Sequence, residues 1–326
     1  MPIPPITLTP PFNVVRCAYI DLGVTDLDAA QDFYDSTLGL VTTARDPDAL
    51  YLRALEERNH HSFALRKADV ATCNALGFRV ATPGDLEVAY DWFNNGGLDA
   101  DFVERPYQGR TLRAQDPNGS VLEFFCKMDQ ADRLLQKYGT YRGVHPQRID
   151  HFNCFSPNVQ TSVDFYADLG FRTTEYTDTD DGTELWAAWM HRKGTVHDIA
   201  FTNGVGPRLH HVALWVPTAL NVIHLCDVMA TTGYLAHMER GPGRHGISNA
   251  FFLYVRDPDG HRIELYASDY LTVDPDLEPI RWSLTDTQRQ TLWGTPAPRS
   301  WFEEGSVFPG VAVRDPDLQA EPVIAH

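Results

Sequence analysis

The chain has 326 residues and a formal net charge of −17, and hydrophobic residues make up 43% of it. This composition is ordinary for a soluble globular protein, and no run of about 18 apolar residues predicts a membrane-spanning helix. The negative charge disfavours nucleic acid and anionic membranes as partners. The first residues lack the basic start and apolar core of a secretory signal. Five scattered cysteines without a Cys-x-x-Cys motif favour reduced thiols and a cytoplasmic location.

An internal repeat organises the chain. The stretch "RCAYIDLGVTDLDAAQDFYDSTLGLVTT" at residues 16–43 returns as "RIDHFNCFSPNVQTSVDFYADLGFRTT" at residues 148–174. Each copy predicts a strand, a polar turn and an amphipathic helix. The glycine in the "LGL" or "LGF" that follows is suited to a helix C-terminus.

A second pair of segments repeats as well. A strand and a helix are predicted from "GFRVATPGDLEVAYDWFNNGG" (77–97) and from "HVALWVPTALNVIHLCDVMATTG" (211–233). They are followed by "QDPNGSVLEFF" (115–125) and "RDPDGHRIELY" (256–266), in which Asp-Pro-x-Gly predicts a turn between hairpin strands. We therefore expect an α+β fold of four βαβββ modules in two repeated domains.

The repeat also predicts the domain limits. Residues 1–135 would form an N-terminal domain of two modules, and residues 148–270 a C-terminal domain of two more. Residues 271–326 contain stretches rich in Pro, Asp and Trp. We expect them to form an irregular tail that covers the body and an opening in it.

Three side chains in the second half have the chemistry of a metal site. Both His151 and His211 lie in alternating apolar stretches that predict strands, and Glu264 follows the Asp-Pro-x-Gly turn. Two histidines and one carboxylate on one face of a metal ion leave three adjacent positions open. Such a site suits Fe(II), with Mn(II) as a realistic substitute. Zinc prefers four ligands and would favour hydrolysis.

The first half serves as an internal control. Tyr19 aligns with His151, and only the glutamate recurs: Glu123 follows its Asp-Pro-x-Gly turn at the same distance as Glu264. If the strands are aligned through the proline that follows each, Gly77 lies opposite His211. The first half is therefore not expected to bind a metal tightly. His210 should face away from His211 because strand side chains alternate, although the register leaves open which of the two is the ligand.

Five motifs in order carry a family resemblance: "DHFN", "HRKGTVHD", "GPRLHHVA", "ERGPGRHG" and "DPDGHRIELY". Together they resemble the type I extradiol ring-cleaving dioxygenases of the vicinal oxygen chelate superfamily, and among these the homoprotocatechuate (3,4-dihydroxyphenylacetate) 2,3-dioxygenases. The resemblance extends to about residue 305. It implies that the C-terminal domain holds the metal through His151, His211 and Glu264, and that the N-terminal domain is vacant.

The resemblance implies roles for seven more residues. The acid/base and hydrogen-bonding residues would be His197 and Tyr254, and the substrate-binding residues would be Asn153, Trp189, Arg240, His245 and Arg289. One position departs from the family, because Gln290 stands where a second arginine is found. This departure leaves the ring substituent open: it could be shorter, neutral or differently placed.

The implied reaction is the cleavage by O₂ of a catechol ring beside its two hydroxyl groups, giving a muconic semialdehyde in aromatic hydrocarbon catabolism. The catechol would be 3,4-dihydroxyphenylacetate or a related compound, and the enzyme would be a homotetramer. Two alternatives remain at this stage. One is a metal-dependent glyoxalase or epimerase of the same superfamily, and the other is a non-catalytic protein that binds a small molecule.

Overall fold

Two β-sheets contain all the named strands of the computed structural model, which describes residues 3–320. The first sheet is formed by β1 (Val14–Val24), β2 (Val41–Arg45), β3 (Ala49–Arg53), β4 (Phe63–Lys67), β5 (Thr72–Val80), β6 (Ala100–Arg105), β7 (Gly109–Gln115) and β8 (Val121–Phe125). Its strand order is β2-β3-β4-β1-β5-β8-β7-β6.

The second sheet repeats this plan and adds strands from the tail. Its strands are β9 (Arg148–Ser156), β10 (Arg172–Asp178), β11 (Leu185–His191), β12 (Ile199–Asn203), β13 (Arg208–Trp215), β14 (Met238–Arg244), β15 (Phe251–Arg256), β16 (Arg262–Ala267), β17 (Ile280–Ser283) and β18 (Ser306–Val307). The order is β14-β15-β16-β13-β9-β12-β11-β10-β17, and β18 pairs with β13.

Five α-helices within residues 3–320 complete the modules and the tail. They are α1 (Leu27–Gln31), which continues into a π-helical turn over Asp32–Thr37, α2 (Pro83–Asn95), α3 (Val159–Asp168), α4 (Ala219–Thr231) and α5 (Arg299–Glu303). No helix within residues 3–320 is both long and apolar enough to cross a bilayer.

The element order confirms the α+β fold of four βαβββ modules. Each module contributes one strand, one helix and three strands, and its first and last strands pair in parallel. Within each sheet two modules join through their first strands, which are antiparallel. The domain limits stay a prediction, and residues 321–326 of the predicted tail lie outside the described part of the chain.

Local sequence explains where the helices begin and end. Thr82 caps α2 by accepting the backbone N–H of Asp85, whose carboxylate accepts the N–H of Thr82 in return, which is a reciprocal capping box. The glycines after the first helix of each half, Gly39 and Gly170, have φ values of 88° and 80°. Glycine adopts this left-handed backbone without strain, so the predicted helix ends are confirmed.

The two sheets share one apolar core. Phe78 of β5 lies 5.7 Å from Phe152 of β9 and 5.8 Å from Phe171, measured between ring centroids in edge-to-face geometry. Such pairs add about 0.5–1.5 kcal/mol each beyond the burial of their area. The strand that holds His151, β9, is therefore packed against the first half of the chain.

Strand register corrects one alignment made from the sequence. Gly77 lies opposite Tyr19 in the first sheet, and Ala213 lies opposite His151 in the second. The counterpart of Gly77 is therefore Ala213, and the alignment of Gly77 with His211 is wrong by two residues. Alignment through the prolines missed this shift because Pro83 follows Thr82, the capping residue of its helix, whereas Pro217 precedes Thr218, the capping residue of its helix.

The true counterpart of His211 is Ala75, since Ala75 pairs with Asp21 as His211 pairs with Asn153. The first half therefore has an alanine methyl group where the second has an imidazole. Under the corrected alignment the first half still has no histidine at either of the two ligand positions.

Candidate metal centre and active site

Three side chains converge on adjacent strands of the second sheet. His151 is on β9, His211 on β13 and Glu264 on β16, and all three are buried. The Nε2 atom of His151 lies 3.0 Å from Oε2 of Glu264 and 3.3 Å from Nε2 of His211. The Nε2 atom of His211 lies 3.2 Å from the same Oε2. Among residues 3–320 this is the one group of three such ligands whose atoms lie within 4.8 Å of one another.

These separations fit a single octahedral ion. Metal–ligand bonds of about 2.1 Å at right angles would place neighbouring ligand atoms about 3 Å apart. Burial raises the pKa of Glu264, but when His151 and His211 carry a proton at Nε2 their hydrogen bonds and charge lower it to well below its usual range. A bound metal ion would take the place of that proton. The donor set therefore offers two imidazoles and one carboxylate on one face of an ion.

The ring of His151 is oriented by the residue before it. Its Nδ1 atom lies 3.0 Å from Oδ2 of Asp150, which also accepts the Tyr266 hydroxyl. Lys193 and Arg148 lie 3.6 and 3.5 Å from the Asp150 carboxylate. Despite burial, the pKa of Asp150 is lowered, first by Lys193 and then by His151. An ionised Asp150 accepts the Nδ1–H, which leaves the Nε2 lone pair facing the site.

His210 does not face away from the site as strand alternation predicted. The pairing of β13 with β9 shifts between Leu209 and His211, and this β-bulge turns both histidines toward the same region. The Nδ1 atoms of His210 and His211 lie 2.6 Å apart, and Nε2 of His210 lies 2.9 Å from the Trp301 carbonyl oxygen. Both ring nitrogens of His210 are thus engaged, which favours His211 as the ligand.

His197 lies beside the three converging side chains, in the loop before β12. Its ring centroid is 3.7 Å from that of His151, and its Nδ1 atom is buried without a hydrogen-bond partner in the described residues. Burial, and next the neighbouring His151, lower the pKa of His197 well below its ordinary value. A neutral imidazole at this place can accept a proton.

Tyr254 and His245 form a second oriented pair. The Tyr254 hydroxyl lies 3.0 Å from Nε2 of His245, and Nδ1 of His245 contacts the Gln290 carbonyl oxygen. A carbonyl oxygen only accepts, so Nδ1 carries the hydrogen and Nε2 accepts from the tyrosine. Burial, followed by the Glu264 carboxylate, raises the pKa of Tyr254 well above its usual value. Tyr254 therefore keeps its proton.

Two buried arginines line the same cavity. Nη2 of Arg240 donates to the Gln290 carbonyl (3.0 Å) and to Oγ1 of Thr291 (2.8 Å), while its Nε and Nη1 have no hydrogen-bond partner among the described residues. Arg289 also has an unpartnered nitrogen, Nη1. Burial lowers the pKa of each arginine to about 10, so both stay charged at neutral pH. Neither forms an ion pair with a carboxylate of residues 3–320.

The predicted site residues are brought together around one cavity. Its lining includes His151, Asn153, Trp189, His197, His211, Arg240, His245, Tyr254, Glu264 and Arg289. Sequence reasoning missed two contacts from the lining, His210 as a partner of His211 and Trp301. The doubled histidine of "LHHV" was a signal for the first, whereas nothing in "RSWF" distinguished Trp301 from other tail residues.

Comparison with known proteins assigns the family. A model described as "Glyoxalase/Bleomycin resistance protein/Dioxygenase superfamily" matches residues 16–124 and 148–265. The chain belongs to this superfamily. The manganese-dependent 2,3-dihydroxybiphenyl 1,2-dioxygenase of Geobacillus genomosp. 3 is 31% identical over 300 residues, which cover 87% of this chain and 95% of that protein.

Two solved structures have a higher sequence identity to this chain than that relative has. Homoprotocatechuate 2,3-dioxygenase from Brevibacterium fuscum, solved with 3,4-dihydroxyphenylacetate, is 43% identical with a TM-score of 0.90, over 95% of this chain and 99% of that one. The homoprotocatechuate 2,3-dioxygenase of Arthrobacter globiformis is also 43% identical, with a TM-score of 0.89, over 93% and 94% of the two chains. These homologues are extradiol ring-cleaving dioxygenases, which are oxidoreductases.

Proposed function

We propose that this chain is an extradiol dioxygenase that opens the ring of a catechol with O₂, and that His151, His211 and Glu264 hold Fe(II), with Mn(II) as a substitute. The observation behind the metal site is the convergence of two Nε2 atoms and one carboxylate oxygen at 3.0–3.3 Å. The manganese-dependent relative supports the same ligand chemistry. When bound, the ion would hold the two catechol oxygens and O₂ in adjacent positions and relay electrons between them.

The protein's own groups then move protons and exclude water. His197 is neutral, and its Nδ1 has no hydrogen-bond partner in the part of the chain that the structure describes. It would accept a proton from a catechol hydroxyl and later return it to an oxygen of the opening ring. Tyr254, which keeps its proton, would form a hydrogen bond to a substrate oxygen. Asn153 and Trp189 are 7% and 8% exposed, and they would close the O₂ side of the cavity against water.

The two arginines favour a catechol with an anionic substituent. Arg240 and Arg289 are buried cations with free N–H groups, and neither forms an ion pair with a carboxylate of residues 3–320. A buried charge without a partner is costly, so a substrate carboxylate such as that of 3,4-dihydroxyphenylacetate would complete the site, with His245 beside it. The contacts of Gln290 to Arg240 and His245 come from its backbone carbonyl. The glutamine side chain therefore leaves this arrangement intact.

The remaining features of the proposal concern the setting of the enzyme. The product would be a muconic semialdehyde, formed in the cytoplasm by a homotetramer. All five cysteines are unpaired, which supports a reducing compartment. We also propose that residues 1–135 bind no metal, because the carboxylate of Glu123 already contacts Arg105, Arg113 and Tyr19.

The test uses purified protein loaded anaerobically with Fe(II) or, separately, with Mn(II). Air is admitted in the presence of 3,4-dihydroxyphenylacetate, 4-methylcatechol or unsubstituted catechol, and O₂ uptake is followed together with the yellow ring-opened product. His211→Ala should abolish both signals. His224→Ala, which alters an exposed histidine on α4, should leave them unchanged. The absence of O₂ uptake and of product with every catechol would contradict the proposal.

A further inference from the structure

A chain of hydrogen bonds connects the C-terminal tail to the candidate ligand His211. The Trp301 carbonyl oxygen lies 2.9 Å from Nε2 of His210, and Nδ1 of His210 lies 2.6 Å from Nδ1 of His211. At that distance one Nδ1 must carry a hydrogen and the other a lone pair. The positions of the hydrogens follow from the two ends of the chain.

At the tail end, a carbonyl oxygen only accepts, so Nε2 of His210 carries its hydrogen. At the other end, Nε2 of His211 faces Glu264 and His151 at 3.2 and 3.3 Å, and a metal ligand must present a lone pair there. The hydrogen of His211 is therefore on Nδ1, and a neutral His210 accepts it. Each hydrogen bond in the chain points the same way, from His211 toward Trp301.

We propose that His210 is a positioning residue that fixes the tautomer and ring direction of His211 and ties both to the backbone of the tail. This inference rests on the proposed function, since it assumes that His211 binds the metal. In this role His210 would bind neither metal nor substrate. The position of α5, which contains Trp301, would then affect the geometry of the metal site.

The surroundings hold both ends of this chain in place. Arg262 is buried beside Glu264 on β16, and its Nη1 donates to the carbonyl oxygens of His210 (2.9 Å) and Glu304 (3.1 Å). Its Nη2 donates to the carbonyl of Ser300 (3.1 Å). One guanidinium therefore clamps the His210 backbone to residues on either side of Trp301. The Trp301 ring packs edge-on against that of His210, 4.3 Å between centroids.

The two histidine ligands are thus oriented by different chemistry. Asp150, a carboxylate, accepts from Nδ1 of His151 at 3.0 Å, whereas a neutral imidazole accepts from Nδ1 of His211. In both cases the orienting residue immediately precedes the ligand. The bulge at His210 makes this arrangement reachable on β13, because regular alternation would have turned the side chain away.

The test measures Mn(II) affinity of the metal-free protein by competition with a chelator, together with the electron paramagnetic resonance spectrum of bound Mn(II). His210→Leu removes the acceptor and should weaken Mn(II) binding about 10- to 100-fold. His210→Asn places an amide oxygen near the former Nδ1 and should stay within about threefold of wild type. His210→Gln places its amide nearer the former Nε2 and should lose affinity as His210→Leu does.

Thermal unfolding in excess chelator separates positioning from loss of structure, because a positioning defect persists in variants that unfold like wild type. If His210→Leu does not fold, His210→Asn and His210→Gln test the inference instead. The asparagine can accept the hydrogen bond from His211, whereas the glutamine can only replace the one to the Trp301 carbonyl. Equal Mn(II) affinity of His210→Leu and wild type would overturn the inference, as would equal losses for asparagine and leucine. A wild-type chain that binds neither Mn(II) nor Fe(II) would instead overturn the proposed function, and this inference with it.

Discussion

Replacing Arg240 with methionine should separate catechols by the charge of their substituent. Within residues 3–320, Nε and Nη1 of Arg240 have no hydrogen-bond partner, and the guanidinium carbon lies 4.5 Å from the centre of the Trp301 ring. Methionine keeps an unbranched apolar stem that can pack on Trp301 and removes the charge and the two free donors. Because those donors are the ones proposed to meet a carboxylate, the loss should fall on carboxylated substrates.

The size of the effect follows from the burial of the pair. Truncating one partner of a buried, hydrogen-bonded charge pair costs about 2–5 kcal/mol. Arg289 remains nearby to share the carboxylate, so we expect the lower part of that range, about 2–3 kcal/mol. At about 1.4 kcal/mol per factor of ten, this predicts a 30- to 150-fold fall in kcat/KM for 3,4-dihydroxyphenylacetate. For 4-methylcatechol we expect a change of less than about threefold.

The assay compares kcat/KM for both substrates in wild type and variant, so that any general damage to the site cancels in the ratio. Arg281→Met is the matched control, because Arg281 is a half-exposed tail arginine paired with Asp178. Without substrate, Arg240→Met should change the free energy of unfolding little, because removal of a buried cation without an ion pair offsets the loss of its hydrogen bonds to Gln290 and Thr291. Equal losses on the two substrates would refute the reasoning and show that Arg240 supports the site only structurally.

Three further predictions concern stability. Burial raises the pKa of Asp116 from 3.8 to about 6, so the folded protein favours the protonated carboxyl group. The contribution of this group to the free energy of unfolding is therefore complete below pH 3.8 and is lost as the pH rises through 6. Asp116→Asn keeps an acceptor for the turn, and its stability relative to wild type in urea titrations should grow by about 1 kcal/mol from pH 5 to pH 7; a constant difference would contradict this. Gly77→Ala should cost about 1–3 kcal/mol, because its Cβ would lie 2.1 Å from the Tyr19 ring; an unchanged melting temperature would contradict it. Adding Mn(II) at 100 times its Kd should stabilise the metal-free protein by about 2.7 kcal/mol, and His211→Ala should abolish that gain in thermal unfolding.

The module plan could be predicted from the sequence because each of its signals is local. The Asp-Pro-x-Gly turns and the glycines after the helices depend on the conformations of a few neighbouring residues. The bulge that redirects His210 depends instead on how β13 pairs with β9. Alternation along one strand does not contain that information, and the prediction for His210 failed for this reason.

Contacts made by backbone groups could not be predicted from the sequence either. The carbonyl oxygens of Gln290 and Trp301 orient His245 and His210, and any residue type supplies a carbonyl oxygen. The tail was expected to cover an opening, and it does contribute to the cavity lining. Which of its peptide groups meet the site depends on the path of the chain, which composition does not specify.

The two halves share a buried glutamate, and each must neutralise it. In the first half Arg105 and Arg113 contact Glu123, and hydrogen bonds and charge from Arg105 offset its burial and lower its pKa. In the second half, no lysine or arginine of residues 3–320 forms an ion pair with Glu264. The ionisable side-chain nitrogens of these residues that lie within 4 Å of its carboxylate belong to histidines.

A carboxylate removed from water needs a positive partner, because its burial as a lone anion costs several kcal/mol. Neutral histidines that present lone pairs do not supply that charge, whereas a divalent ion bound between them and Glu264 does. Arginine thus neutralises the glutamate of the first half, and a metal ion would neutralise that of the second. On this reasoning both halves of the repeat keep the buried glutamate, and they differ in the cation that neutralises it.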